Sequence, residues 1–239
     1  MKFSESWLRT FVNPPLSSAE LSHLLTMAGL EVEEMTGVAP AFDKVVVAQV
    51  LSKEKHPDAD RLNLLSVDVG QAEPLAIVCG AGNVTVGMKA PCALVGAKLP
   101  GIEIKQAKVR GIASFGMMCS SKELGLAEES SGLLELDAGA LVGQNIREHL
   151  DLDDQLITLK LTPNRCDCLS LYGIAREVAA LTGEPLQHIP AAGFKLINTL
   201  ERKVTVTASA ACPRYIGSVI TSINARAETP AWMVQRLER

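Results

Sequence analysis

HPDADRLNLLSVDVG (residues 56–70) and KLPGIEIKQAKVRGIASFGMMCSSKELGL (98–126) set a strand-and-turn pattern beside a cation-rich loop. In the first stretch Leu62, Leu64, Ser66 and Asp68 alternate with Asn63, Leu65, Val67 and Val69, the two-residue period of a half-buried strand. The same period continues outward in KVVVAQVL, LAIVCG, KAPCALVG, GIEIK and LLEL, separated by Pro74, Gly80, Gly82, Gly96, Pro100 and Gly101. Short strands with glycine wherever the chain must bend predict a small closed barrel over residues 39–150, an OB-fold rather than a sandwich.

From Lys98 to Lys122 the chain carries five cations (Lys98, Lys105, Lys108, Arg110, Lys122) and one acid, Glu103, although its formal net charge is −4. That balance excludes a protein that coats nucleic acid over its whole surface and points to local binding of a polyanion. Lysine and arginine anchor phosphates, while hydroxyls such as Ser114, Ser120 and Ser121 reach ribose oxygens; the plain alternative is a solvated rim of charge. Residues 39–150 contain only Phe42 and Phe115 as aromatics, too few for the stacking platforms of a single-strand binder, so a folded RNA is the expected partner. HPDADRL reads first as a turn, since Pro57 holds His56 extended and Asp58 and Asp60 suit an Asx turn, with His56 and Arg61 as further RNA contacts. CGAGN (79–83) has the look of a phosphate cradle. No GK[ST] follows it, however, and Val84, Thr85 and Val86 are β-branched, so it is not read as a P-loop; Asn83 remains a candidate phosphate neighbour.

Helix signals flank the barrel, and residues 1–37 look helical and then extended. Ser17 and Glu20 form a capping box before Leu21, Leu24, Leu25 and Met27, with Gly29 as the stop, and Ser4 or Ser6 starts a shorter helix with Trp7, Leu8 and Phe11. Past Asp151, Leu171, Ile174, Ala175, Val178 and Leu181 share a helical face that ends at Gly183. The expected layout is a helical domain of residues 1–38 plus 151–198, split by the barrel. Insertion is cheap when the ends of the guest lie together. Residues 199–239 read as the incomplete start of a third domain: strand-like KVTVTA (203–208) and RYIGSVITSI (214–223), then a helix capped by Thr229 and opened by Pro230 whose Trp232, Met233 and Leu237 have nothing to bury against before Arg239.

With 47% apolar residues but no signal core and no apolar run of bilayer length, the chain is expected to be cytosolic, where its six cysteines stay reduced. Cys166 and Cys168 form CxC with no CxxC or histidine cluster to complete a metal site, and no hydrolytic constellation is present: Ser120 and Ser121 lack a GxSxG elbow. The chain reads as non-catalytic, with no metal or cofactor of its own.

HPDADRLNLLSVDVG, IVCGAGNV, GAKLPG, KVRGIASFGMMCSSKELGL and TPNRCDCLSLYGIAREVAALTGE, following MKFSESWLRTF, together resemble the N-terminal part of the bacterial phenylalanyl-tRNA synthetase β subunit over essentially the whole chain. TPNRCDCLS and the first helices select this family over other proteins with tRNA-binding barrels. The resemblance implies a winged-helix-like first domain split by the OB module, then the start of a domain that hydrolyses mischarged tRNA. It also implies an α2β2 heterotetramer with a catalytic α subunit, charging tRNA(Phe) with phenylalanine from ATP and magnesium. It carries over no catalytic residue. An assembly module, with Trp7, Phe11, Leu171 and Trp232 partly exposed in isolation, and a free-standing tRNA chaperone are the alternatives. No membrane or DNA partner is expected.

Overall fold

A computed structural model describes residues 1–189, 193 and 199–239. In chain order the elements are β1 (Lys2–Ser4), α1 (Glu5–Arg9), α2 (Ser18–Met27), β2 (Glu31–Gly37), β3 (Val45–His56), β4 (Ala59–Asp68), β5 (Leu75–Cys79) and β6 (Lys89–Leu94). Then come the short strands β7 (Lys98–Leu99), β8 (Ile102–Glu103), β9 (Ala107–Val109), β10 (Ile112–Ser114) and β11 (Gly116–Met118). They are followed by α3 (Ile146–His149), β12 (Gln155–Lys160), a 3-10 segment (Pro163–Cys168), α4 (Leu171–Thr182) and α5 (Ala231–Glu238).

The central sheet is antiparallel in the order β11-β6-β3-β4-β5. It curls because β3 changes partner along its length. Val45–Gln49 pair with β6, Gln49–His56 pair with β4, and an irregularity between Val50 and Ser52 bends the strand where the two halves meet. The two ends of the sheet then approach. The Phe115 amide donates to the Ala76 carbonyl at 2.9 Å and the Val78 amide to Ser114 Oγ at 3.1 Å, which joins the β10–β11 connection to β5 and nearly closes a five-stranded OB-like barrel. Leu65, Val67 and Ile77 fill its interior, all at most 3% exposed, in the register that the alternation in LNLLSVDVG gives.

A separate core is drawn from both ends of the chain: Phe3, Leu8, Leu21 and Leu25 pack with Ile157, Leu159, Ile174 and Val178. α2 begins with the expected capping box at Ser17 and Glu20 and gives way to Gly29, at φ 87°. Ser4 caps α1, and α4 runs from Leu171 to the left-handed Gly183. The extended segment expected after the first helices is β2, and two further strands that the reading of this part as helical did not include join it. β1, β12 and β2 form a three-stranded antiparallel sheet under the helices, and KFS and QLITLK were too short or too weakly alternating to be read as strands. Of the residues expected in the split domain, 190–192 and 194–198 lie outside the described ones.

Three further expectations fail. LLEL forms no strand: Leu134 and Leu136 each make one backbone bond, to Cys119 and Lys89, and no ladder follows. KVTVTA and RYIGSVITSI form none either, and most of their apolar side chains gain little burial; Ile216, Ile220 and Ile223 are all above 70% exposed. α5 does begin after Pro230, but no side chain caps it, so Thr229 does not play that role.

Candidate nucleic-acid interface

The cations expected on one barrel edge sit on different hairpins. β7 pairs with β8 through Lys98 and Leu99, which places Lys98 opposite Glu103, and the Lys98 amide donates to Asp43 Oδ1 at 2.8 Å. Lys105 Nζ lies 3.5 Å from Glu103 Oε2, an exposed ion pair. β9 and β10 form a second hairpin, Val109 opposite Ile112, leaving a two-residue loop of Arg110 and Gly111 with φ of 49° and 86°. Positive φ at both positions is a type I′ turn, whose twist matches that of the strands it joins. Lys108 and Arg110 are exposed on this hairpin, and Lys122 is exposed in the turn after β11.

The two hairpins lie at opposite ends of β3. Lys98 is bonded beside Asp43, just before β3 begins, whereas the Val109 carbonyl is 3.3 Å from Nε2 of His56, its last residue. β3 is twelve residues long, so Lys98 and the Lys108–Arg110 hairpin are tied to different ends of one long strand.

Four other candidates are structural groups. His56 is 4% exposed; its Nδ1 accepts from the Asp58 amide at 3.1 Å, which leaves Nε2 to carry the hydrogen toward Val109. It closes the Pro57–Asp58 turn of the β3–β4 hairpin and ties that hairpin to β9. Ser114, 5% exposed, accepts from Val78 and donates to the Gly116 carbonyl at 3.0 Å. The Asn83 side-chain amide donates to the Leu133 carbonyl at 3.0 Å and accepts from the Leu133 amide at 2.9 Å, so it imitates a strand partner and keeps one N–H outside that pairing. Ser120 donates to Glu123 Oε2 at 2.6 Å and accepts from the Glu123 amide, a capping-box pattern in the turn that carries Lys122. Ser121 is half-buried beside it.

Arg61 is exposed near the tip of the β3–β4 hairpin. Lys55, on the same hairpin opposite Asn63, is exposed too and was missed by the sequence reading, because SKEK (52–55) buries no side chain that would mark it as strand. Lys53 is spent on the Val84 carbonyl at 2.7 Å. A cleft of about 470 Å³ lies across the barrel mouth between Gly80–Gly82 and Ser130–Gly132.

The CxC pair is split. Cys166 is exposed and Cys168 buried, and all six cysteines are free thiols. Asp167, Cys168 and Glu177 offer ligand atoms within 4.8 Å of one another. The Arg165 guanidinium already stands among them, 2.9 Å from Glu177 and 3.4 Å from Asp167, and its hydrogen bond holds the Asp167 carboxyl below the usual range. A cation supplied by the chain fits this group better than a metal.

Residues 45–145, the barrel, match the family described as "Putative tRNA binding domain". Over 242 aligned residues that take in the whole chain, the phenylalanine–tRNA ligase β subunit of Dechloromonas aromatica is 64% identical and that of Thiobacillus denitrificans 60%. Along its whole length, this chain is similar to phenylalanine–tRNA ligase β subunits. It spans about 30% of the length of those curated relatives. Among solved structures, the C-terminal domain of Plasmodium vivax p43 is 27% identical over 41% of this chain and 56% of that one, with a TM-score of 0.32. The MetRS-related protein of Pyrococcus horikoshii is 25% identical over 42% and 85%, with the same score. No helix among the described residues is long and apolar enough to cross a membrane.

Proposed function

We propose that the chain is the tRNA-binding and structural part of a phenylalanine–tRNA ligase β subunit. That ligase attaches phenylalanine to tRNA(Phe) with ATP and magnesium in the cytoplasm, as an α2β2 assembly with a catalytic α subunit. The observation that carries the reading is the agreement of the tRNA-binding family match with a barrel whose hairpins hold exposed cations, several of them outside any ion pair among the described residues. Barrel residues 39–150 bind the RNA, and residues 1–38 with 151–198 make a winged-helix-like domain around them. The core shared by Phe3, Leu25, Ile157 and Ile174 supports that partition. Residues 199–239 begin an editing domain. ATP and magnesium bind elsewhere in the enzyme: the Gly80–Asn83 loop has no P-loop lysine, its asparagine is engaged by Leu133, and the only clustered ligand atoms among the described residues surround Arg165.

Anisotropy titration of the 239-residue chain with a tRNA(Phe) transcript tests this. Affinity should fall steeply as KCl rises, with a log–log slope set by the number of phosphates neutralised. No binding at low salt overturns the tRNA role. A second reading, subunit assembly, draws on the exposed Ile216, Ile220, Trp232 and Leu237. Firm capture of the α subunit by a chain that does not bind tRNA would favour it.

A further inference from the structure

We propose that the RNA-contacting edge is the pair of hairpins β3–β4 and β9–β10, with Lys55, Arg61, Lys108 and Arg110 as phosphate ligands and His56 as the residue that positions one hairpin on the other. This inference rests on the tRNA reading above and locates its site. The two hairpins form one platform. His56 bridges Asp58 and Val109 from a buried position, and Ser114 fixes the base of β10 to β5. Cations held on a fixed frame lose little freedom when they meet a phosphate.

The four side chains are exposed, and none of them has a carboxylate within ion-pair distance among the described residues. Glu54, Asp58 and Asp60 share this end of the barrel, so the platform does not act as a plain cationic sponge; it favours a backbone whose phosphates fall on the four cations and away from the acids. At the far end of β3, Lys105 has Glu103 as an ion-pair partner in solvent, which competes with a phosphate.

The turn itself gives the sharper argument. Arg110 occupies the first loop position of a type I′ turn at φ 49°, where asparagine, aspartate or glycine is the comfortable residue. A long cation kept in a left-handed conformation at the tip of a solvent-facing hairpin gains nothing locally: it makes no hydrogen bond or ion pair with any described residue. Local strain of this kind is retained where the side chain serves an external contact.

Arg110→Asn separates binding from folding, because it relieves the turn while deleting the charge. In the 239-residue chain it should leave Tm unchanged or higher, weaken tRNA(Phe) binding about three- to tenfold near 0.1 M KCl and lower the salt slope by about one. Lys98→Ala with Lys105→Ala should change neither affinity nor slope appreciably. His56→Ala should weaken binding in the parent chain but add less than about twofold in a Lys108→Ala, Arg110→Asn background, since a positioning residue has little left to position there. The assignment is overturned if Arg110→Asn binds tRNA as the parent does, if the Lys98 and Lys105 pair takes the larger loss, or if His56→Ala costs the same factor in both backgrounds. If the parent chain binds no tRNA at all, the broader reading falls, and this one with it.

Discussion

Ser114 and Ser121 carry the same hydroxyl in one basic stretch, but only Ser114 has its bonds fixed by the barrel. Its oxygen accepts from Val78 and donates to Gly116 at a position 5% exposed, so Ser114→Ala leaves the Val78 amide without a partner beside the seam. The expected loss is about 1–3 kcal/mol of unfolding free energy in urea titration, whereas Ser121→Ala should stay within about 0.5 kcal/mol. Equal losses would remove the seam from the account. At this scale the sequence told residue type but not partner. His56, Asn83 and Ser114 bond to Val109, Leu133 and Val78, separated from them by 53, 50 and 36 positions, and no local pattern encodes such pairings. The exposure of Arg61, Lys108 and Arg110 was legible because a cation without a partner stays in water.

Elements were read well where local chemistry and burial agree. The Ser17–Glu20 box and the face of Ile174, Ala175 and Val178 gave α2 and α4 close to their ends, and the alternation in LNLLSVDVG gave β4 with its buried side. β3 outran its apolar half because cross-strand pairing with β4 carries SKEKH to His56 with little burial, while KVTVTA and RYIGSVITSI had the alternation but leave most of their apolar side chains exposed. A strand is a property of two segments, and the sequence shows one. Barrel closure depends on such a pair. Gly116, the first residue of β11, has φ 156°, and a Cβ placed there would lie 2.8 Å from the Ala93 carbonyl oxygen of β6. Gly116→Ala must push β11 off β6 or distort the seam at Phe115 and Ala76; about 2 kcal/mol of lost stability is expected, with faster hydrogen exchange at the Phe115 amide. A loss of stability with an undisturbed Phe115 amide would place the strain elsewhere.

The whole molecule is joined at a polar point. Asp154, 4% exposed, accepts from Ser4 Oγ at 2.6 Å and from the Ser6 amide at 2.9 Å, binding the first turn of the chain to the segment that leaves the barrel. Nothing in the sequence distinguished it from Asp151 and Asp153. Global stability should also carry the mark of the buried thiols in the barrel. Burial pushes the Cys92 thiol up to about 12 and raises that of Cys119 as well, with Cys92 adding to the latter. In the unfolded chain such a thiol titrates near 8.5. Below that pH both states hold the proton and these groups contribute no pH dependence. Above it the unfolded chain releases the proton and the folded chain keeps it, so the unfolded state binds fewer protons and stability falls as pH rises, until the folded thiol itself ionises near the value given for Cys92. The expected slope is about 1.4 kcal/mol per pH unit for each fully buried thiol. Unfolding free energies from urea titrations under reducing conditions between about pH 9 and about pH 11 should therefore drop faster for the parent chain than for Cys92→Ala, by roughly that slope, while lysines and tyrosines titrate alike in both. Parallel lines would mean that the Cys92 thiol ionises as readily folded as unfolded, and that water reaches the centre of the barrel.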